Sequence, residues 1–208
     1  MELTTVAWEE AGRRVGASID ESHLLARCQA GDRAAQEDLV RRCQQQVYRL
    51  ARHLLGNPDD ALDATQEALV AMLRSLPSFQ RRARFDTWLY RLTTNVCLQY
   101  RRRLLSRTRL VTSTEEEDLP PATTDSPEML ALDREQRAAV RRELARLPMQ
   151  FRVVVVLREL EGLAYEEIAE TLGLPLGTVQ SRLSRGRRLL RQALLANGVA
   201  PAGQRGRP

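Results

Sequence analysis

Lysine is missing from this chain: all 32 basic residues are arginine. A GC-rich coding bias is the simplest source of that choice. Every cationic position nevertheless carries a planar, permanently charged fork suited to bidentate bonds with phosphates and base edges. Cysteine is scarce too. Cys28, Cys43 and Cys97 show no C-x-x-C spacing, so neither a zinc ribbon nor a disulfide framework is indicated. Two histidines, His23 and His53, are too few for most metal sites, and no metal or other cofactor is expected. No side-chain nucleophile stands with a poised base in any recognisable motif, so no catalytic residue is expected and the chain does not read as an enzyme. Aromatic residues make up only 4%, which leaves Leu, Val and Ala to build the core. No apolar run approaches the roughly 18 residues of a membrane span, and no signal peptide is visible. Membrane insertion is therefore not expected, and a cytoplasmic location is.

The 208 residues are enough for one large or two small domains, and the net charge of +5 favours a polyanionic partner. With few Gly and Pro, the pattern predicts an all-α chain: two small helical domains joined by a flexible linker. Residues 1–20 read as a polar tail carrying Trp8, for which the sequence suggests no role. In 21–104, a first helix places Leu24, Leu25 and Cys28 together. A second, ending at Leu55, spaces Leu39, Cys43, Val47, Leu50 and Leu54 three to four apart. Gly56-Asn57-Pro58 separates it from a helix over 59–76 with the expected buried stripe Leu62, Thr65, Leu69, Met72 and Leu76. After Pro77 and a loop, a helix capped by Asp86 is expected to reach about Leu104. Residues 105–127, with the run Glu115-Glu116-Glu117-Asp118, read as the linker. The second domain, 128–197, opens at Ser126-Pro127, is broken at Pro148, and continues as a helix through Val153–Val156. By propensity those valines would form a strand, but the segment has a helix's length and no strand to pair with. Residues 198–208 are a Gly/Pro/Arg tail.

The stretch 164–191 carries the clearest motif. It reads helix, turn, helix, with Ala169 where the helices cross, Gly173 in the turn, Pro175 as the expected first helical residue, and Val179 beneath the second helix. Thr178, Gln180, Ser181, Arg182, Ser184, Arg185 and Arg188 then lie toward the outer face near the N-terminal end. Arg, Gln and Ser presented there can enter a major groove and bond base edges. A plain αα-hairpin with a solvated basic face is the alternative.

Two further groupings stand out. Five of the nine aromatics (Phe79, Phe85, Trp88, Tyr90, Tyr100) fall within 79–103, and nine arginines against one acid, Asp86, fall within 81–109. Arg interleaved with rings suits single-stranded nucleic acid, the charges meeting phosphates and the ring faces stacking on unpaired bases. Phe79 and Tyr90 read better as core. Arg81, Arg82, Arg84, Phe85 and Trp88 are candidates for contact. On the 59–76 helix, Asp60, Asp63 and Glu67 share one side with Gln66 beside them, either a solvated helix start or a docking face for a basic protein.

In order along the chain, these motifs resemble the extracytoplasmic-function (ECF) sigma factors. The resemblance covers about 21–195. It rests on Leu24-Leu25-Ala26-Arg27-Cys28-Gln29-Ala30-Gly31-Asp32, on Asp60-Ala61-x-Asp63-Ala64-x-Gln66-Glu67, and on Phe85-x-Thr87-Trp88-Leu89-Tyr90-Arg91 with Asn95. In the second half it rests on Leu144-x-x-Leu147-Pro148, Glu161-Gly162-Leu163-x-Tyr165-x-Glu167-Ile168-Ala169, and Leu176-Gly177-Thr178-Val179-x-Ser181-Arg182-Leu183-x-Arg185. It implies that Asp60, Asp63, Gln66 and Glu67 dock on core RNA polymerase. Arg81, Arg82, Arg84, Phe85, Trp88, Arg91, Asn95, Arg101 and Arg102 would melt and hold the minus-ten element. The helix-turn-helix residues would read duplex DNA at minus thirty-five. An inhibitory anti-sigma factor is a further implied partner. The two promoter elements lie two helical turns apart, on the order of 60–70 Å at ~34 Å per turn. A 23-residue linker spans at most about 75–80 Å extended. Arg81-Arg82 stands where many relatives carry Gly-Asp, Leu69 where Phe is usual, and Gln180 and Ser184 where Lys or Arg and an aromatic are frequent, so the promoter sequence does not transfer. A conventional helix-turn-helix regulator is the alternative function.

Overall fold

The computed structural model describes residues 19–80, 83–110 and 138–197, and every regular element among them is helical. The first half contains α1 (Ile19–Gln29), α2 (Arg33–Leu55), α3 (Pro58–Ser75), a 3-10 turn (Leu76–Ser78) and α4 (Phe85–Leu110). The second contains α5 (138–146), α6 (Met149–Val155), which widens into a π-helical turn over Val156–Leu160, α7 (Tyr165–Leu172) and α8 (Leu176–Ala196).

Local chemistry sets the ends. Asp32 caps α2 by accepting from the Ala35 N–H at 3.1 Å and is gripped by Arg27 at 2.8 and 2.6 Å. The Ala35 amide and the Arg27 guanidinium hold its carboxyl below the usual carboxylate range. Asn57 accepts from the amides of Asp59 and Asp60 with Pro58 as the first residue of α3. Several expectations need correction. Asp86 is not a cap but lies in the first turn of α4, where a carboxylate favours the helix dipole. α4 runs to Leu110 because 101–110 holds Arg and Leu and no Gly or Pro. Pro175 is the residue before α8 rather than its first. Of the predicted stripe, Thr65, Met72 and Leu76 are buried and Leu69 packs against the core, but Leu62 is 51% exposed. The residues of α3 that are buried are Ala61, Ala64, Thr65, Ala68 and Met72, whose small members let α3 lie close to its neighbours. The Val153–Val156 helix stands, and it needs no amphipathic period because all four valines are buried. Both tails, Trp8, the acidic run at 115–118 and the Ser126-Pro127 start lie outside the described residues.

The apolar core forms two clusters. One gathers Leu24, Leu25, Cys28, Leu39, Cys43, Val47, Met72, Phe79, Phe85 and Leu89 within the first half. The other is shared. Leu50, Leu54, Ala61, Ala64 and Cys97 of the first half pack with Leu144, Val153–Leu157, Ile168, Val179 and Leu183 of the second. Across this seam the Arg152 guanidinium, itself buried, donates to the Leu54 carbonyl at 2.7 Å, the Leu147 carbonyl at 3.0 Å and the Ala145 carbonyl. Burial, with Arg101 nearby, lowers its pKa to about 10. Gly56, at φ 84°, lies under Ala145, whose Cβ would be 3.1 Å from a side chain placed there.

Candidate nucleic-acid interface

The helix-turn-helix is built as its sequence suggests. Gly173 takes a left-handed φ of 62°, and Leu174 N–H returns to the Ala169 carbonyl at 3.0 Å, which closes α7 and redirects the chain. Val179 and Leu183 are buried, and Gly186 sits where a Cβ would meet Val155 Cγ2 at 2.7 Å. That inner line turns Gln180, Ser181, Ser184, Arg185 and Arg188 into solvent, with Thr178 and Arg182 partly exposed beside them. Ser181 Oγ donates to the Thr178 carbonyl at 3.0 Å. Arg185 lies 5.6 Å over the Phe151 ring. Arg187 is bound back to Glu159, so it is committed to the fold. Gln180, Ser184, Arg187, Arg188 and Arg191 line one groove with Tyr165.

The start of α4 is an aromatic cluster. Phe79, Phe85 and Trp88 pack with ring centroids 4.9–5.9 Å apart. Phe79 and Phe85 are buried and Trp88 half-buried, with Arg84 exposed at its edge. Further along α4, Arg91, Asn95 and Arg102 are exposed. Arg101 is half-buried, its Nη1 without a hydrogen bond among the described residues. Arg81 and Arg82 lie outside the described residues. Tyr90, expected as core, is half-buried against the shared cluster, and burial, then the nearby Glu161 carboxylate, pushes its phenol above the usual range.

Asp60, Asp63 and Glu67 share one side of α3, and α4 holds all three. The Tyr100 hydroxyl bridges Asp60 Oδ1 and Asp63 Oδ2 at 3.1 Å each, and Arg103 meets Glu67 at 2.7 and 2.5 Å. Burial and the two aspartates raise the Tyr100 phenol to about 12. Leu62 and Val70, 51% and 47% exposed, flank the acids, so this surface mixes carboxylates with apolar contact area. The sequence reading missed Leu62, Val70, Tyr100 and Arg103. The spacing of four through Leu62, Gln66 and Val70 was the available signal for the two apolar residues.

The two halves also meet through polar side chains. Thr87 Oγ1 donates to Glu167 Oε1 at 2.8 Å, Arg91 pairs with Glu170 at 3.4 Å, and Arg49 pairs with Glu161 at 3.3 Å. Glu167 uses its other oxygen to accept from the Ala164 N–H at 2.8 Å, tying off the start of α7. Among the described residues there is no His, Cys, Asp and Glu grouping able to hold a metal ion, and no helix is long and apolar enough to cross a membrane.

Comparison with known proteins matches residues 39–107 to Sigma-70 region 2 and residues 137–190 to Sigma-70 region 4. The chain is 44% identical over 167 residues to the ECF RNA polymerase sigma factor SigE of Mycolicibacterium smegmatis, covering 79% of this chain and 64% of that one. It is 36% identical over 178 residues to the ECF RNA polymerase sigma-E factor of Escherichia coli K12, covering 81% and 91%. In structure it is similar to the sigma factor RpoE of Bartonella quintana, solved in complex with the anti-sigma factor NepR. The TM-score is 0.60 at 22% identity, over 77% of this chain and 97% of that one.

Proposed function

Because the chain belongs to the extracytoplasmic-function sigma factors, we propose that it joins core RNA polymerase and directs initiation at promoters with both elements, acting in the cytoplasm without catalysing a reaction itself. The observation that carries this reading is the pairing of two unlike nucleic-acid surfaces in one chain. α8 presents a rigid polar edge, Gln180, Ser181, Ser184, Arg185 and Arg188, suited to a duplex groove. α4 presents Trp88 packed on the Phe79–Phe85 pair, with Arg84, Arg91 and Asn95 exposed along it, suited to unpaired bases. Region 2 is proposed to span 21–104 with the end of α4 carrying on to Leu110, and region 4 to span 128–197, the residues between joining them.

The acidic side of α3 is the proposed polymerase contact. Asp60, Asp63 and Glu67 supply charge, while Leu62 and Val70 supply area that loses water on docking. An anti-sigma factor is proposed to compete for these same surfaces, as the family resemblance implies. Asp63 is exposed but accepts from the Tyr100 hydroxyl, so Asp63→Arg should cost about 1 kcal/mol of folding stability. Opposed to a basic partner it should cost several kcal/mol of affinity. The expected result is a folded protein with a slightly lowered thermal midpoint and loss of core polymerase in a pull-down. Retention of polymerase at parental affinity would move the docking surface elsewhere on 21–104.

A further inference from the structure

We infer that Tyr100 and Arg103 of α4 are positioning residues for the polymerase-docking side of α3 and act in opposite senses: Tyr100 orders Asp60 and Asp63 for a partner, while Arg103 covers Glu67 and tempers its attraction. The inference deepens the proposed reading of α3 and rests on it. Asp60 and Asp63 are three residues apart on one helix, so their like charges repel. The Tyr100 hydroxyl stands between them, 3.1 Å from Asp60 Oδ1 and 3.1 Å from Asp63 Oδ2. It has one proton for two acceptors, so the carboxylates share it and turn toward a common point. The hydroxyl is neutral, so both negative charges stay available. A carboxylate offers about four acceptor positions, and one shared proton leaves most of them for an incoming cation. The Tyr100 ring packs against the shared apolar cluster, which fixes where the hydroxyl sits. A basic partner thus meets two acids already held, and less rotamer freedom is lost on binding them.

Arg103 lies one turn beyond Tyr100 on α4, its guanidinium 5.4 Å from the Tyr100 ring centroid. Its Nη2 reaches both carboxylate oxygens of Glu67, at 2.7 and 2.5 Å. This contact differs in kind from that of the phenol, because it sets a full positive charge against the acid. Glu67 therefore reaches an interface already neutralised, and a partner's Lys or Arg must displace Arg103 or share the carboxylate with it. Arg103 and Glu67 are 52% and 44% exposed. An ion pair so open to water is weak, so Arg103 lowers affinity for a basic partner without blocking the surface. α4 thus sets what α3 presents: the geometry of two acids and the charge of the third.

The test titrates the end-labelled full-length chain with core RNA polymerase, without DNA, at about 0.05 M and about 0.3 M salt, a range across which exposed charges become screened. Tyr100→Phe removes the hydroxyl and keeps the ring. Arg103→Gln removes the charge and keeps a polar side chain. The expected result is several-fold weaker binding for Tyr100→Phe at both salt concentrations. Arg103→Gln should bind several-fold tighter at the lower concentration, with the gain shrinking at the higher one. In a Glu67→Gln background that gain should vanish, as a double-mutant cycle reads. A purely structural role would weaken both variants alike, so weaker binding by Arg103→Gln overturns the inference. Parental affinity for Tyr100→Phe overturns it too, as does a gain from Arg103→Gln that survives Glu67→Gln. If circular dichroism shows Tyr100→Phe unfolded, the Arg103–Glu67 cycle decides. Asp63→Arg keeps the failures apart. If it loses polymerase while Tyr100→Phe and Arg103→Gln bind as the parent does, only the positioning fails. If it binds at parental affinity, the docking reading of α3 fails and the inference falls with it.

Discussion

At the scale of single residues, the structure gives two glycines of α8 opposite roles. Gly186 lies at the α6–α8 crossing, and a Cβ there would meet Val155 Cγ2 at 2.7 Å and Phe151 at 3.4 Å; at Gly177 a Cβ would meet nothing within 4 Å. Gly→Ala in a helix favours folding by roughly 0.5–1 kcal/mol. Overpacking against a stiff β-branched neighbour costs about 1–3 kcal/mol. Gly186→Ala should therefore destabilise by about 1–2 kcal/mol and Gly177→Ala should stabilise slightly, as chemical denaturation would read. A gain for both would mean the crossing has slack. His53 makes a second case. Burial, then the charges of Arg49, Arg141 and Arg52, lowers its pKa from 6.5 to about 4, and its Nδ1 is buried without a hydrogen bond among the described residues. Between those values the unfolded chain binds a proton that the folded chain refuses. The contribution is thus whole above pH 6.5 and is lost as pH falls toward 4, with a slope of up to about 1.4 kcal/mol per pH unit. Thermal midpoints of the parent should fall through that window more steeply than those of His53→Gln; parallel curves would show that His53 titrates normally. Neither feature was legible beforehand, because each depends on a neighbour far away in sequence.

At the scale of elements, legibility tracks periodicity. α2 was readable because Leu39, Cys43, Val47, Leu50 and Leu54 are large, regularly spaced and all buried. α3 was read only in part: Thr65 and Met72 are buried as expected, but its close packing also uses alanines, which carry weak hydrophobic signal, while Leu62 is spent on the surface. The π turn after α6 leaves no mark in composition. The site showed the same split. The outward set on α8 followed from Val179 and Leu183 facing in, but the grip of Tyr100 and Arg103 on the acids of α3 joins residues 36–40 apart. α8 itself gives a sharp prediction. Arg185→Ala, if Arg185 reads a base, should cost about 1–3 kcal/mol and relax selectivity at one promoter position. Arg188→Ala, if Arg188 meets phosphate, should weaken all promoters alike and flatten the salt dependence. Competition binding over randomised upstream elements would separate the two, and identical selectivity profiles would refute the division.

At the scale of the whole molecule, sequence spacing argued for two units and a reach long enough to straddle a promoter. It could not show that the units also pack on each other, because alternation of apolar residues does not say which apolar face meets which. The shared seam is built from residues that look like ordinary core in each half, such as Leu54 and Ala61 in one and Val153 and Ile168 in the other. The two proposed DNA surfaces and the acidic side of α3 proposed to meet polymerase together describe a subunit that would confer specificity on another machine. The direct test is run-off transcription by core RNA polymerase on duplex fragments from the genome encoding this chain, with and without the protein. Discrete transcripts starting at defined sites only when both are present are the predicted result; a transcript pattern identical to that of core enzyme alone would contradict the account.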